Sequence, residues 1–222
     1  MNVFITGANR GIGLGFVRHY LGKGCEVWAC YRSDIGGLGD FATDRLHLMQ
    51  WDVVQHDLPS QGLPESIDIL INNAGIYGPG KDGQSLDNIT PAAMLDVFNI
   101  DCVGPLRVVQ QLKECVIAAK GIIANVSSKM GSSADNTSGG TYAYRAAKAG
   151  LVIVSKSMAM DLAPFGVRVF TLHPGWVRTD MTHHSGLIDV EESVQGMATV
   201  IAHACDYDAG AFIAYDGKLV PY

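Results

Sequence analysis

The segment Tyr144-Arg145-Ala146-Ala147-Lys148 sets a phenol and an ammonium one helical turn apart, so both side chains project from the same face. A phenol beside a fixed positive charge releases its proton closer to neutral pH than a free phenol does. That pairing suits proton donation to a carbonyl oxygen while a hydride arrives at the carbonyl carbon. Two hydroxyls, Ser127 and Ser128, follow an apolar run shortly upstream. The tyrosine–lysine spacing has a second copy at Tyr77 and Lys81, inside Tyr-Gly-Pro-Gly-Lys. A Gly- and Pro-rich loop does not hold a helical register, so that copy reads as accidental. Tyr144 instead opens an alanine-rich apolar run to Leu162 with no interior proline, which predicts a long buried helix.

Such groups need a frame that holds them beside a hydride donor. Strand-like runs at 2–6, 26–31, 46–51, 67–71, 122–126, 168–172 and 211–215 alternate with helical stretches near 12–22, 92–118, 143–162 and 190–203. Continuous apolar strands separated by helices make a parallel sheet covered on both faces. The fold class expected is α/β, a single doubly wound Rossmann-type domain over residues 1–222 with about seven strands. The crossover at 33–44 holds three glycines and is too short for a full helix, and the one at 54–66 carries two prolines and reads as irregular.

The first strand runs into Thr6-Gly7-Ala8-Asn9-Arg10-Gly11-Ile12-Gly13 and then a helix. Glycines there let the backbone approach a pyrophosphate, and a helix N-terminus supplies free amides and a positive dipole end. Gly7, Asn9, Arg10, Gly11, Ile12 and Gly13 are therefore candidate cofactor ligands, at the strand–turn–helix context the fingerprint requires. The end of the second strand distinguishes NAD from NADP, because an acid there accepts ribose hydroxyls and repels a 2′-phosphate. It reads Ala29-Cys30-Tyr31-Arg32-Ser33, with no carboxylate until Asp34. Arg32, helped by Arg10, can make charge-assisted bonds to the extra phosphate, so NADP(H) is expected over NAD(H). The competing reading is two solvated arginines.

Composition narrows the rest. With 222 residues, 48% of them hydrophobic, the chain can bury a full core. A net charge of −6 argues against nucleic-acid binding through a general basic surface. No apolar stretch approaches the ~20 residues that span a bilayer, and the N-terminus begins on a strand rather than a signal peptide. The 5 cysteines are scattered, an odd set with no Cys-x-x-Cys pair, which suggests free thiols and a cytoplasmic location.

From the glycine turn through Asp52-Val53, Asn72-Asn73-Ala74-Gly75, Ser127-Ser128, Tyr144/Lys148 and Pro174-Gly175-Trp176-Val177-Arg178-Thr179-Asp180, the whole chain resembles the short-chain dehydrogenase/reductase family. The stretch 135–140 and Tyr215-Asp216-Gly217 are similar to its branch of C-factor and sniffer-type carbonyl reductases. The resemblance implies that Asp52 and Val53 meet the adenine, and that Asn73, Ala74 and Gly75 line the adenosine ribose. It also implies that Pro174, Gly175, Val177 and Thr179 wrap the nicotinamide. Tyr144 would be the proton donor, Lys148 would lower its pKa and bind the nicotinamide ribose, and Ser128 would orient the substrate carbonyl. Ser128 is preferred to Ser127 because it lies three residues before Gly131, the family's spacing. The alternative is that both serines are strand-end hydroxyls bonded to local backbone. Asn72 and Asn73 have likewise a second reading, as polar ties between adjacent strands.

One departure bears on catalysis. The family carries an asparagine three residues before the glycine in the segment reading Asp101-Cys102-Val103-Gly104, and here that position is Asp101. The family asparagine helps hold a water linking the lysine to solvent. A carboxylate there brings negative charge toward Tyr144 and Lys148 and favours their protonated forms, biasing the site toward reduction. Local pairing or capping by Asp101 is the equally weighted alternative.

His183-His184 have no companion ligands for a metal and are expected on a loop covering the substrate. Trp176 and Tyr77 are candidate apolar walls for a small carbonyl or alcohol substrate. The expected activity is NADPH-dependent reduction of a ketone, aldehyde or quinone. The rival is a catalytically weak dinucleotide-binding redox sensor, since a fold alone does not fix an activity. The family resemblance implies a homodimer or homotetramer through the helices near 92–118 and 143–162, although monomers occur among its carbonyl reductases.

Overall fold

The computed structural model describes residues 1–55, 57–58 and 62–222. Its strands are β1 (Asn2–Thr6), β2 (Glu26–Tyr31), β3 (Leu46–Gln50), β4 (Ile69–Asn72), β5 (Ile122–Val126), β6 (Arg168–His173) and β7 (Phe212–Ala214). They form one sheet in the order β3-β2-β1-β4-β5-β6-β7, every neighbour pair parallel. Strand order reverses between β1 and β4, and a crevice opens above the carboxyl ends of the strands at such a switch point.

The strands can be apolar on both sides because helices cover both faces. Along β1 the side chains alternate: Val3 and Ile5 enter one core and Phe4 the other. The first core is closed by α1 (Gly11–Gly22) through Phe16 and Val17 and by α5 (Val190–Ala202) through Val194 and Met197. The second is closed by α3 (Gly104–Ala119) through Val108, Leu112 and Val116 and by α4 (Tyr142–Leu162) through Met158, Ala159 and Leu162. This is the α/β doubly wound arrangement the periodicity predicts.

Two elements differ from the sequence expectation by more than one residue at an end. The helix expected in one piece over 92–118 is divided into α2 (Pro91–Phe98), a π-helical turn at Asn99–Val103, and α3. Pro105 explains the widening, because a proline ring inside a helix meets the carbonyl four residues back, here that of Asp101. β4 starts at Ile69 rather than at 67, since the Ile67 amide donates to the Cys115 carbonyl oxygen instead of joining the ladder. The short crossover at 33–44 contains only a 3₁₀ turn, Gly36–Asp40. Gly36 has φ +50 and presses against the glycine turn, where a Cβ would lie 2.5 Å from the Asn9 carbonyl oxygen. The crossover expected at 54–66 lies partly outside the described residues, and its described part forms neither helix nor strand. All five cysteines are free thiols. Among the described residues no helix is long and apolar enough to cross a membrane.

Candidate active site

A cleft of about 460 Å³ lies above β1, β2 and β4, and the predicted cofactor residues Gly7, Asn9, Arg10, Gly11, Ile12, Arg32, Asp52, Val53, Asn73, Ala74, Gly75 and Thr179 all line it. The glycines shape it. A Cβ on Gly7 would come within 2.8 Å of the Ala74 Cα, and one on Gly13 would overlap the Gly7 carbonyl oxygen. Gly13 thus supports the turn from beneath. The turn is fixed to β2 by the Ala8 amide, which donates to the Cys30 carbonyl oxygen at 2.9 Å. It is fixed to the end of β4 by Asn73, whose Nδ2 donates to the carbonyl oxygens of Thr6 and Gly7. Asn72 instead ties β4 to β5 by donating to Asn125 Oδ1 at 2.8 Å, so of the two asparagines only Asn73 also faces the cleft.

At the β2 end, the Asp34 carboxylate is taken by its own turn, accepting from the Gly36 amide at 3.0 Å. Arg32 faces the cleft with no acidic neighbour within ion-pair distance among the described residues. Arg10 reaches across the mouth to Asp180, Nη1 to Oδ2 at 3.2 Å. Both side chains are well exposed, so this pair contributes under about 1 kcal/mol and yields readily to another anion. At the Asp52–Val53 wall, Arg107 donates to the Val53 carbonyl oxygen at 2.6 Å and to Asn99 Oδ1 at 3.2 Å. Pro174, Gly175 and Val177, also predicted to meet the cofactor, are not among the residues lining this cleft. The Pro174 carbonyl accepts from Ser193 Oγ at 2.6 Å, and Val177 is buried in a bridge to Ile188.

The reacting groups meet at the other end of this frame. Tyr144 and Lys148, on α4, are 8% and 5% exposed, and Nζ stands 5.6 Å from the phenol ring centre. Nζ donates to the Val126 carbonyl oxygen at 3.2 Å and forms an ion pair with Asp101 Oδ2 at 3.1 Å. Asp101 is wholly buried, and its Oδ1 accepts from the Ile76 amide at 2.8 Å. One carboxylate therefore links the exit of β4 to the lysine. Ser128 lies near the phenol and acts to lower its pKa, while its Oγ accepts from the Met130 amide at 3.2 Å; Ser127 is committed elsewhere, its Oγ donating to the Lys148 carbonyl oxygen at 2.9 Å. The serine turn can lie this close to α4 only because Gly131 has no side chain, since a Cβ there would stand 2.7 Å from the Lys148 carbonyl carbon.

Burial pushes the Tyr144 phenol above its ordinary range. Lys148 and the neighbouring Ser128 hydroxyl pull it down, while Asp101 and Tyr77 push it further up, and the net direction is upward. The downward shift expected from the ammonium is thus present but outweighed, because desolvation of the phenolate is the larger effect. Burial also acts against the Lys148 ammonium, but the Asp101 carboxylate and Tyr144 more than offset it and leave the pKa raised. Asp101 is itself held above the usual carboxylate range by burial, against the pull of Lys148. The site keeps its proton on the phenol.

A model of the short chain dehydrogenase family matches residues 1–187. The chain belongs to the short-chain dehydrogenase/reductase family. It is an oxidoreductase acting on CH–OH or C=O groups. The C-signal protein of Myxococcus xanthus is 41% identical to it over 157 residues, 70% of this chain and 93% of that protein. The carbonyl reductase Sniffer of D. melanogaster has the same fold with a TM-score of 0.92 at 28% identity, over 100% of this chain and 99% of that one. A carbonyl reductase from Pseudomonas aeruginosa, solved in complex with NADP, gives a TM-score of 0.84 at 34% identity over 100% and 99% of the two chains.

Within this short-chain dehydrogenase/reductase, several residues near the site escape motif reading. Tyr77, expected as an apolar wall of the substrate site though its pairing with Lys81 reads as accidental, packs its ring 5.1 Å from that of Tyr144, while Lys81 is exposed. Gln84 is wholly buried and bonds the Tyr144 amide. His173 accepts from the Lys129 amide through Nδ1 at 3.2 Å and so braces the serine turn. Trp51, Asp96, Ile100 and Met181 complete the cleft wall. None of these belongs to a short motif; Trp51, His173 and Met181 directly adjoin the Asp52, Pro174 and Asp180 signatures and so carry a positional hint. Trp176 is half exposed. His183 and His184 are exposed, both with left-handed φ, and His184 pairs with Asp180 at 3.3 Å.

Proposed function

We propose that the protein reduces a ketone, aldehyde or quinone to an alcohol with NADPH. The observation that carries this reading is the buried trio of Tyr144, Lys148 and Asp101, with the half-buried Ser128 next to it, beside a glycine-built cleft, the phenol pKa being raised. The cleft fits a dinucleotide: its turn has no room for side chains, and α1 presents its free amides there. Arg32 at the β2 end, with Asp34 turned away, supports a 2′-phosphate and hence NADP over NAD. The bound nicotinamide supplies the hydride. Ser128 donates to the substrate oxygen and fixes its position. Tyr144 gives its proton to that oxygen as negative charge develops there. Lys148 keeps the resulting phenolate tolerable by its charge, and Asp101 holds the ammonium in place.

NADPH oxidation measured against a panel of quinones, aldehydes and small ketones tests this. Turnover is expected with at least one class. Tyr144→Phe is expected to abolish it, and Ser128→Ala to lower it on the order of a hundredfold, as for loss of one oxyanion donor. Binding of NADPH without turnover of any panel member would favour the redox sensor instead.

A further inference from the structure

Gln84 has no exposed surface, and both hydrogens of its amide are used. Nε2 donates to the carbonyl oxygens of Tyr77 and Pro79, both at 2.8 Å. Oε1 accepts from the backbone amide of Tyr144 at 3.0 Å. A primary amide offers two donors and one acceptor oxygen, so this side chain is satisfied entirely by three backbone groups.

The catalytic helix needs that bond. The first amides of a helix have no partner within it and are ordinarily met by the side chain at the cap position. In α4 that position is Thr141, whose φ is +53 and whose side chain makes no capping bond. Its hydroxyl stands 3.4 Å from the Tyr77 hydroxyl instead. The acceptor at the Tyr144 amide is therefore supplied from 60 positions earlier in the chain. The same side chain holds the backbone of Tyr77, whose ring is tilted 45° against the Tyr144 ring. The turn that brings Gln84 there requires glycine, because Gly78 has φ +84 and a Cβ on it would meet Val97 Cγ2 at 2.5 Å.

We propose that Gln84 is a positioning residue that sets the catalytic phenol and the Tyr77 ring as one unit facing the substrate. The proposal rests on Tyr144 being the proton donor. Gln84 touches neither the cleft nor the reacting atoms; it acts through the backbone of Tyr144 and Tyr77. Small displacements of a reacting group lower rates steeply, whereas binding of the dinucleotide in a cleft that Gln84 does not line stays as it is.

The test compares Gln84→Met, which keeps the volume and removes every hydrogen bond, with Gln84→Glu, which keeps the acceptor and adds a charge. The panel carbonyl that the parent reduces fastest is used throughout. Gln84→Met is expected to lower kcat about ten- to a hundredfold, with the NADPH dissociation constant from fluorescence titration unchanged. Gln84→Glu is expected to regain part of that kcat and to move the alkaline limb of the pH profile upward, because an anion near the phenol disfavours the phenolate. Should the methionine variant not fold, Gln84→Asn, one methylene short of both partners, carries the same expectation. The proposal is overturned by parental kcat in Gln84→Met, or by equal losses in both variants that follow the folded fraction at an unmoved pH profile. Tyr144→Phe, run alongside, separates the two readings. If it retains parental turnover, the proton-donor assignment falls; if it is inactive while Gln84→Met is parental, only the role of Gln84 falls.

Discussion

Lys148 is surrounded by two negative influences of different kind, the full charge of Asp101 at 3.1 Å and the carbonyl dipole of Val126 at 3.2 Å. In the family pattern the position of Asp101 is an asparagine, which would bring no charge. Here the carboxylate raises both the phenol and the ammonium, so the protonated phenol required for reduction persists to higher pH. Asp101→Asn removes that negative charge while keeping an acceptor for the Ile76 amide. The phenol pKa is then expected to fall. Alcohol oxidation should begin at lower pH than in the parent, and the decline of carbonyl reduction should also move to lower pH. Initial rates in both directions across pH measure this, and superimposable profiles would defeat the electrostatic account. The identity of Asp101 as the departure was legible from its spacing to Gly104. The charge it brings toward Lys148 was legible as well, and the structure closes that approach to an ion pair; the π turn that carries Asp101 was not, because helical periodicity does not encode it.

Between elements, the serine turn is held from two sides. Gly131 lets it lie against the backbone of α4, and His173 at the end of β6 accepts its Lys129 amide. Burial pushes the His173 imidazole down to about 4, with Lys129 adding to the effect. Its unfolded value lies near 6.5, so the unfolded chain takes up a proton first as pH falls. Stability from this group is present above about pH 6.5 and is lost progressively down to pH 4, on the order of 2 kcal/mol by pH 5. His173→Asn keeps an acceptor near the Nδ1 position and does not titrate. Its urea midpoint should change less between pH 7 and pH 5 than that of the parent, and equal changes would show that His173 is not the group responsible. The strands and long helices were legible because continuous apolar runs and the 3.6-residue period recur over many residues. Gln84 and His173 were not, since their partners lie 60 and 44 positions away and neither repeats nor belongs to a motif.

At the scale of the whole molecule, a chain of net charge −6 is asked to bind a polyanionic dinucleotide. The overall field repels such a ligand, so the attraction must be local, and it is supplied at the cleft by Arg32 and Arg10 together with the amide end of α1. Arg10 is shared with Asp180 across the mouth, which leaves Arg32, with no acidic neighbour within ion-pair distance among the described residues, as the cation proposed to meet the 2′-phosphate. A charge-assisted bond of this kind contributes about 1.5–3 kcal/mol, or roughly ten- to a hundredfold in affinity. Arg32→Ala is therefore expected to raise the KM for NADPH by that factor and to leave the KM for NADH within about twofold, since NADH has no 2′-phosphate for the guanidinium to meet. Added salt should weaken NADPH binding more than NADH binding in the parent, and the difference should shrink in the variant. Equal loss of both cofactors on substitution would place Arg32 in the scaffold of the cleft and remove the ground for proposing NADP over NAD.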